Sequence, residues 1–325
     1  MDRRVVRLRV RAARSLRMTG RRRGKRRCQQ MTKERIGFIG VGLMGHGMAK
    51  NIVEKGWPLT VMGHRNREPV EDLKSRGAQE AHTPKELAEQ SDIVILCVTG
   101  SPQVQAVMQG PDGLAAAGKE LLVIDCSTSE PSVTTRLAEE LAPQGITLID
   151  APLGRTPADA AAGTLDVMVG GAPEMVKRAR PVLEAFSSRI IETGPTGTGH
   201  TMKLLNNFLS MGYAALYSEA LALGAKAGLT SQVFDNVVRG GRMDCGFYQT
   251  FFRYVIERDR NAHKFTIRNG FKDMSYLSAF ANAVGLANPV GAAVRNSFAL
   301  AVGTGHGDDY VPMLSDIIAK TNGIE

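Results

Sequence analysis

The chain lacks the cysteine patterns that organise metal centres and disulfide scaffolds. Its four cysteines, Cys28, Cys97, Cys126 and Cys245, are scattered without a C-x-x-C pair. That usage fits a reduced compartment, and no metal site is expected. A secretory h-region with a cleavage site is also missing. The run Leu204–Ala225 is long enough to span a bilayer, but Asn206, Asn207 and Glu219 interrupt it. A buried helix is therefore expected, with no membrane partner. Internal repeats are absent, and so is low complexity beyond residue 30.

Acidic residues are nearly absent from one stretch only. Thirteen of the 41 Lys and Arg residues and just one of the 32 acids lie within residues 1–30. The overall charge of +9 is therefore local, and the remaining body is slightly acidic at −3. Three readings of that run stay open. It is a basic arm for nucleic acid, an Arg-rich mitochondrial presequence, or translation upstream of a true start at Met31. The third is preferred, because Thr32-Lys33-Glu34-Arg35 leads straight into a strand that needs nothing before it. On each reading residues 1–30 are expected to be poorly ordered. A nucleic-acid partner is not expected, and the location is cytoplasmic unless the run is a presequence.

At 325 residues the chain has room for about two domains. Apolar runs at Ile36–Ile39, Leu59–Met62, Ile93–Val98, Leu121–Asp125, Ile146–Ile149, Val167–Val169 and Ile190–Glu192 read as strands. Helical patterns alternate with them at Gly45–Lys55, Pro69–Arg76, Pro84–Glu89, Pro102–Met108, Pro131–Ala142 and Pro173–Phe186. Several open on proline, which the first turn tolerates. This alternation predicts a mainly parallel, doubly wound α/β sheet. It stops at the turn-rich Gly194-Pro195-Thr196-Gly197-Thr198-Gly199. Beyond it only helices are predicted: Gly199–Leu229, Ser231–Arg239, Cys245–Arg258, Thr266–Val284, Pro289–Val302 and Asp308–Thr321. The expected division is 31–194 for the α/β domain and 195–325 for an all-helical domain serving substrate binding and dimerisation.

Gly40-Val41-Gly42-Leu43-Met44-Gly45 spells G-x-G-x-x-G between a strand and a helix, the context in which this motif binds dinucleotides. Gly40 permits the tight turn, Gly42 admits a pyrophosphate and Gly45 lets the helix approach the strand. The helix-start amides then face the phosphates. NAD sites usually carry an acid about twenty residues on. Here the second strand ends in Met62-Gly63-His64-Arg65-Asn66-Arg67, with no acid until Glu68. Arg65 or Arg67 suits a 2′-phosphate instead, so NADP(H) is favoured over NAD(H).

The long apolar helix carries Lys203, Asn206, Asn207 and Ser210 at i, i+3, i+4 and i+7, all on one face. Burying such a stripe without partners is costly, so it is expected to line a polar cavity. A desolvated lysine beside a nicotinamide acts as general acid in reduction and general base in oxidation. Lys203 fits that role, with Asn207 one turn on to hold the lysine or the substrate oxygen. Asn206 and Ser210 extend the polar patch. A second constellation, Gly154-Arg155-Thr156, follows the fifth predicted strand at the carboxyl edge where open sheets bind ligands. Gly154 allows close approach, and Arg155 offers a rigid fork for an acidic group. Pairing of Arg155 with a surface acid such as Asp159 is the competing reading.

These pieces resemble the β-hydroxyacid dehydrogenase (3-hydroxyisobutyrate dehydrogenase-like) family over nearly all of 34–322. The resemblance rests on GFIGVGLMGHGMAKN at 37–51, DCST at 125–128, D-A-P-x-G with GTL and MVGG at 150–171, MKLLNN at 202–207 and FKD at 271–273. It implies a Rossmann domain, a dimerising helical domain and hydride transfer to or from a 3-hydroxy acid or its semialdehyde. It implies Lys203 as catalytic and Leu43, Met44, Val98, Thr128 and Lys272 as cofactor contacts. Gly154-Arg155-Thr156 stands where most relatives have Ser-Gly-Gly, and with the following Ala-x-x-G-T-L it looks like the sulfolactaldehyde reductase branch. That likeness implies a sulfonate gripped by Arg155, with Asn206 and Ser210 in the anion pocket. It usually brings an aspartate near Gly63, which this chain lacks. Thr99 stands where a Leu-Pro pair is usual.

The expected activity is reduction of a short anionic aldehyde, sulfolactaldehyde preferred. The alternatives are dehydrogenases of the 3-hydroxyisobutyrate, 4-hydroxybutyrate or tartronate-semialdehyde type. A different class, a non-catalytic cofactor-binding module with a nucleic-acid-binding arm, is disfavoured because its known members lose the lysine. Imine reductases replace it too. The Ala- and Gly-rich long helix is expected to pack against a second copy, in a homodimer or homotetramer.

Overall fold

The computed structural model describes residues 33–324. The basic run at 1–30 and the start at Met31 lie outside the described residues. Six parallel strands form the sheet: β1 (Ile36–Ile39), β2 (Leu59–Met62), β3 (Gln79–Ala81), β4 (Ile93–Leu96), β5 (Leu121–Asp125) and β6 (Ile146–Asp150). Their order is β3-β2-β1-β4-β5-β6, the doubly wound order of dinucleotide-binding domains. Three further strands, β7 (Leu153–Gly154), β8 (Leu165–Gly170) and β9 (Ser187–Gly194), extend it. β8 runs antiparallel to β6 and β7 and parallel to β9.

Helices α1 (Gly45–Glu54), α2 (Glu68–Ser75), α3 (Pro84–Glu89), α4 (Ser101–Gln109), α5 (Pro131–Leu141), α6 (Pro157–Ala162) and α7 (Pro173–Leu183) lie between the strands. From α2 to α7 each carries proline in its first turn, where the missing N–H has no partner to lose. The central strands β1, β4 and β5 are buried throughout, which explains their unbroken apolar runs. Alternate residues feed two cores. Phe38 joins Ile52, Val61 and Phe186 on one face, while its neighbour Ile39 joins Leu87, Leu96 and Leu137 on the other.

After β9 the chain is helical: α8 (Thr198–Lys226), α9 (Ser231–Val238), α10 (Gly246–Glu257), α11 (Ile267–Ala283), α12 (Pro289–Gly303) and α13 (Leu314–Thr321). The 29-residue α8 packs against α11, α12 and α13 over a third core of Leu204, Met211, Tyr248, Phe252, Met274 and Phe298. Among the described residues no helix is long and apolar enough to cross a membrane.

Four elements depart from expectation. The polar three-residue β3 and the two-residue β7 have no apolar run to announce them. Helix α6 was also unforeseen, although Thr156 and Asp159 form a capping box around Pro157, a signature readable in the sequence. The helix expected over Asp308–Thr321 begins only at Leu314. Before it, Tyr310 bridges Thr266, the Val311 N–H donates to the Phe265 carbonyl, and Val311–Met313 is a short 3₁₀ turn around Pro312.

Candidate active site

At the carboxyl ends of β1 and β4 the glycine turn takes the shape its motif requires. Gly40 has φ 102°, and a Cβ there would strike the Cys97 carbonyl. A Cβ at Gly45 would strike the Gly40 carbonyl, so α1 sits as close to β1 as glycine permits. A Cβ at Gly42 would meet nothing within 4 Å, and Leu43 beside it is exposed. Met44 is half-buried against the sheet core. Helix α1 has no acid in its first turn and no side-chain cap. Its leading amides are thus left for an anion, and the residues present fit a dinucleotide pyrophosphate.

The two arginines after β2 part company. Arg67 donates to Glu80 (2.6 and 3.0 Å) and to Glu71 (2.8 Å), so it ties the loop to β3. Those bonds hold the Glu80 carboxyl down at about 2. Arg65 is exposed and has no hydrogen-bond or ion-pair partner among the described residues. Val98 and Thr128 lie in the loops after β4 and β5, where the Val98 N–H donates to Ser127 Oγ (3.0 Å).

Lys272 and Tyr276 of α11 reach across to those loops. Lys272 Nζ donates to the Thr99 carbonyl (2.6 Å) and the Thr128 carbonyl (3.3 Å), and it lies 3.2 Å from Asp273 Oδ1. Tyr276 Oη accepts from the Ser101 N–H (3.2 Å). Asp273 is fully buried, and its Oδ2 accepts from Asn207 Nδ2 (2.6 Å). One turn before Asn207 stands Lys203. It is half-buried, and its ammonium has no hydrogen-bond or ion-pair partner among the described residues. Burial lowers its pKa from 10.5, the Asp273 carboxylate pulls it back up and Lys272 pushes it down. A lysine held thus is suited to proton transfer.

The other members of the polar stripe lie further out. Asn206 is exposed, and Ser210 Oγ is turned to the Asn206 carbonyl (3.1 Å) of its own helix. Gly154 closes β7 against Asp166. Arg155 follows at φ 76°, a left-handed backbone normally left to glycine. The backbone here is thus one that a glycine adopts more readily than an arginine. Its guanidinium lies 3.1 Å from Asp166 Oδ1 and 4.0 Å from Asp159 Oδ1. Thr156 is spent on α6: its Oγ1 meets Asp159 Oδ2 at 2.5 Å within the capping box.

Sequence reading missed the groups that hold this assembly. Asp150, at the end of β6, accepts from the Gly197 N–H (2.6 Å) and the His200 N–H (2.7 Å). It thereby caps α8, whose own cap position is a glycine. Burial raises the pKa of Asp150, and His200 and these amides oppose the rise. Asp125, at the end of β5, accepts from the Ser127 N–H and Ser129 Oγ (both 2.9 Å). His200 is fully buried between the two carboxylates, its Nδ1 2.8 Å from Thr134 Oγ1. The motifs DCST and D-A-P did contain both aspartates, but no spacing within them reveals their partners. The nearby thiols are inert: burial pushes Cys97 up to about 12 and Cys126 well above the ordinary thiol value.

A glycine cradle at the switch point of a doubly wound sheet, followed by a helical half that carries a partnerless lysine, is the arrangement of a nicotinamide-dependent dehydrogenase. Residues 35–194 match the family model described as the NAD binding domain of 6-phosphogluconate dehydrogenase. Residues 197–315 match the NAD-binding model of NADP-dependent 3-hydroxyisobutyrate dehydrogenase. The chain is 33% identical to 3-sulfolactaldehyde reductase of Escherichia coli, over 87% of this chain and 95% of that one. It is 37% identical to 3-hydroxyisobutyrate dehydrogenase of Pseudomonas aeruginosa, over 82% and 91%. Among solved structures, Mycobacterium tuberculosis 3-hydroxyisobutyrate dehydrogenase with L-serine superposes with a TM-score of 0.79 at 26% identity, covering 88% of this chain and 99% of that one. The chain belongs to the 3-hydroxyisobutyrate dehydrogenase-like family of NAD(P)-dependent oxidoreductases.

Proposed function

We propose that this enzyme reduces a short aldehyde with an anionic tail, preferably sulfolactaldehyde, at the expense of NADPH. The observation carrying the reading is the half-buried, partnerless ammonium of Lys203 beside Asp273 and Lys272. When bound, the nicotinamide supplies or accepts the hydride. Lys203 as the ammonium donates a proton to the substrate oxygen, and as the neutral amine it takes the proton back in oxidation. Asn207 is held by Asp273 at 2.6 Å, so its amide is fixed one turn from that ammonium. Gly154 and Arg155 supply the anion site, supplemented by Asn206 and Ser210; Thr156 contributes through its backbone and the α6 cap. The free donors of Arg155 serve the tail, in competition with Asp166. A carboxylate tail is the second reading, favoured by the 37% identity to a 3-hydroxyisobutyrate dehydrogenase.

Cofactor contacts are assigned to Gly40, Gly42, Leu43, Met44, Gly45, Val98, Thr128 and Lys272. Arg65 supports NADPH over NADH, since Arg67 is already engaged. A Cβ at Gly63 would meet Val70 at 2.7 Å and Arg67 at 2.9 Å, so a side chain there would crowd both. Met202, Leu205, Leu209, Leu216 and Leu223 form an exposed apolar stripe along α8. It supports assembly with a second copy, as a homodimer or homotetramer. The scattered cysteines support a cytoplasmic enzyme.

The test is a panel of sulfolactaldehyde, methylmalonate, succinate and tartronate semialdehydes with each nicotinamide. NADPH-dependent turnover is expected, highest with sulfolactaldehyde, and Lys203→Met should lose about 10²- to 10⁴-fold in kcat. Parental turnover by Lys203→Met would refute the reading.

A further inference from the structure

Gly100, in the turn between β4 and α4, has φ 172°, an extended backbone that any residue adopts. Its conformation therefore does not call for glycine. Its surroundings do. A Cβ there would stand 2.5 Å from Tyr276 Oη, while the next neighbours, Tyr276 Cζ and Lys272 Cδ, lie at 3.4 and 3.5 Å. The missing Cβ makes room for one phenol oxygen reaching in from α11. That oxygen accepts from the Ser101 N–H (3.2 Å), 175 residues away along the chain. Ser101 opens α4, so its amide has no partner within the helix. Pro102 after it has no N–H to offer. Tyr276 is thus a cap supplied from the helical half.

The capped turn is also a wall of the glycine cradle. A Cβ at Gly40 would strike the Cys97 carbonyl and would stand 3.2 Å from Val98 Cγ1. The chain leaving β4 therefore touches the first glycine of the motif. Two more contacts brace it. Ser101 Oγ accepts from the Glu130 N–H (2.7 Å), which joins the turn to the loop after β5. Lys272, one turn before Tyr276, donates to the Thr99 and Thr128 carbonyls. Its Nζ lies 5.3 Å from the centre of the Tyr276 ring, so the two side chains enter side by side.

Resting on the reading of Val98 and Thr128 as cofactor contacts, we propose that Tyr276 is a positioning residue for the nicotinamide cofactor. Its hydroxyl, seated in the space left by Gly100, holds the turn between β4 and α4 in the shape the dinucleotide binds. It acts through the Ser101 amide, and proton transfer stays with Lys203. A phenylalanine ring would fill the same place but leave that amide without its acceptor, so the hydroxyl is the operative group. Because the clasp is made before the cofactor arrives, the cofactor does not have to order the turn on binding.

The experiment titrates NADPH and NADH, with no aldehyde present, into the parental enzyme, Tyr276→Phe, Gly100→Ala and the double variant. Tyr276→Phe should weaken binding of the preferred nicotinamide about three- to tenfold, the worth of one hydrogen bond. Gly100→Ala should weaken it by a similar factor, since its Cβ displaces the hydroxyl. The double variant should be no weaker than either single one, because phenylalanine has no oxygen to displace. In the ligand-free enzyme the Ser101 amide should exchange with solvent faster in all three variants than in the parent. Losses that multiply in the double variant would show that the two residues act apart and would overturn the clasp. Parental affinity and parental exchange in Tyr276→Phe would overturn it too. Faster exchange with parental affinity would also overturn the assignment, because the clasp would then hold a turn the cofactor does not read. A failed aldehyde panel would leave the assignment standing, since no step of this test uses an aldehyde. A parental enzyme that binds neither nicotinamide would remove both readings.

Discussion

Asp150 is the place where the sheet takes hold of α8, the helix that carries Lys203, and its removal has a calculable consequence. Its carboxylate receives two amide N–H groups from the first turn of α8, at 2.6 and 2.7 Å, in a fully buried setting. In Asp150→Ala both donors are orphaned. Each buried donor left without a partner costs about 1–3 kcal/mol, so the gross loss is about 2–6 kcal/mol. Relief of the burial penalty on the carboxylate offsets part of it. A net loss of about 3 kcal/mol follows, which for a chain of this size lowers Tm by roughly 6–12 °C. Asp150→Asn keeps one acceptor and should recover about half.

The same variant should damage turnover more than cofactor binding. Lys203 stands on the turn that follows this cap, whereas Gly40, Gly42 and Gly45 sit on other elements. Asp150→Ala should therefore lower kcat about tenfold or more while the NADPH affinity stays near parental. A pH signature accompanies it. The pKa of Asp150 is raised above its ordinary value of 3.8 by burial, so the folded state favours the protonated acid. Its contribution to stability is full below 3.8 and diminishes as pH rises through the folded value. Asp150→Ala should flatten that part of the stability curve. Thermal unfolding across pH, with NADPH titration and steady-state rates, reads all three effects. A variant with parental Tm and parental kcat would show that the cap does not hold the helix.

Two further outcomes are expected. Because burial lowers the Lys203 pKa from 10.5, kcat/KM for reduction should fall as pH rises through that lowered value, and the oxidation rate should rise through the same value. A reduction profile that stays flat up to 10.5 would contradict the lysine's role as acid. Arg65→Ala should raise the NADPH KM about tenfold and leave the NADH KM unchanged, whereas Arg67→Ala should move neither. An equal loss in both variants would show that the 2′-phosphate is not read at Arg65.

What could be read in the sequence was local. Most strands follow from short unbroken apolar runs and most helices from a period of 3.6 within short windows, and the glycine cradle is six consecutive residues. Lys203 and Asn207 share a face because they are one turn apart. The stripe they belong to is not uniform, however. Asn207 is drawn into the core by Asp273, while Asn206 beside it is exposed; only the packing of α11 on α8 decides which is which. Arg65 and Arg67 were indistinguishable until Glu80 on β3 claimed the second.

What escaped the sequence is the set of contacts that joins the two halves, and all of it is distant along the chain. Asp150 meets Gly197 and His200 at separations of 47 and 50 residues. Lys272 meets Thr99 at 173 and Thr128 at 144. Such pairings leave no period and no spacing, only polar residues whose burial looks costly until the partner is known. The cost itself is the clue. An aspartate at the end of a buried strand, or a lysine beside an aspartate inside an apolar helix, is stable only if another element completes it. In this protein the completing elements are the loops after β4 and β5 and helix α8, so the interactions that close the fold also set how α8 and α11 sit against the sheet. Mutations that loosen either half should therefore alter turnover before they unfold the chain.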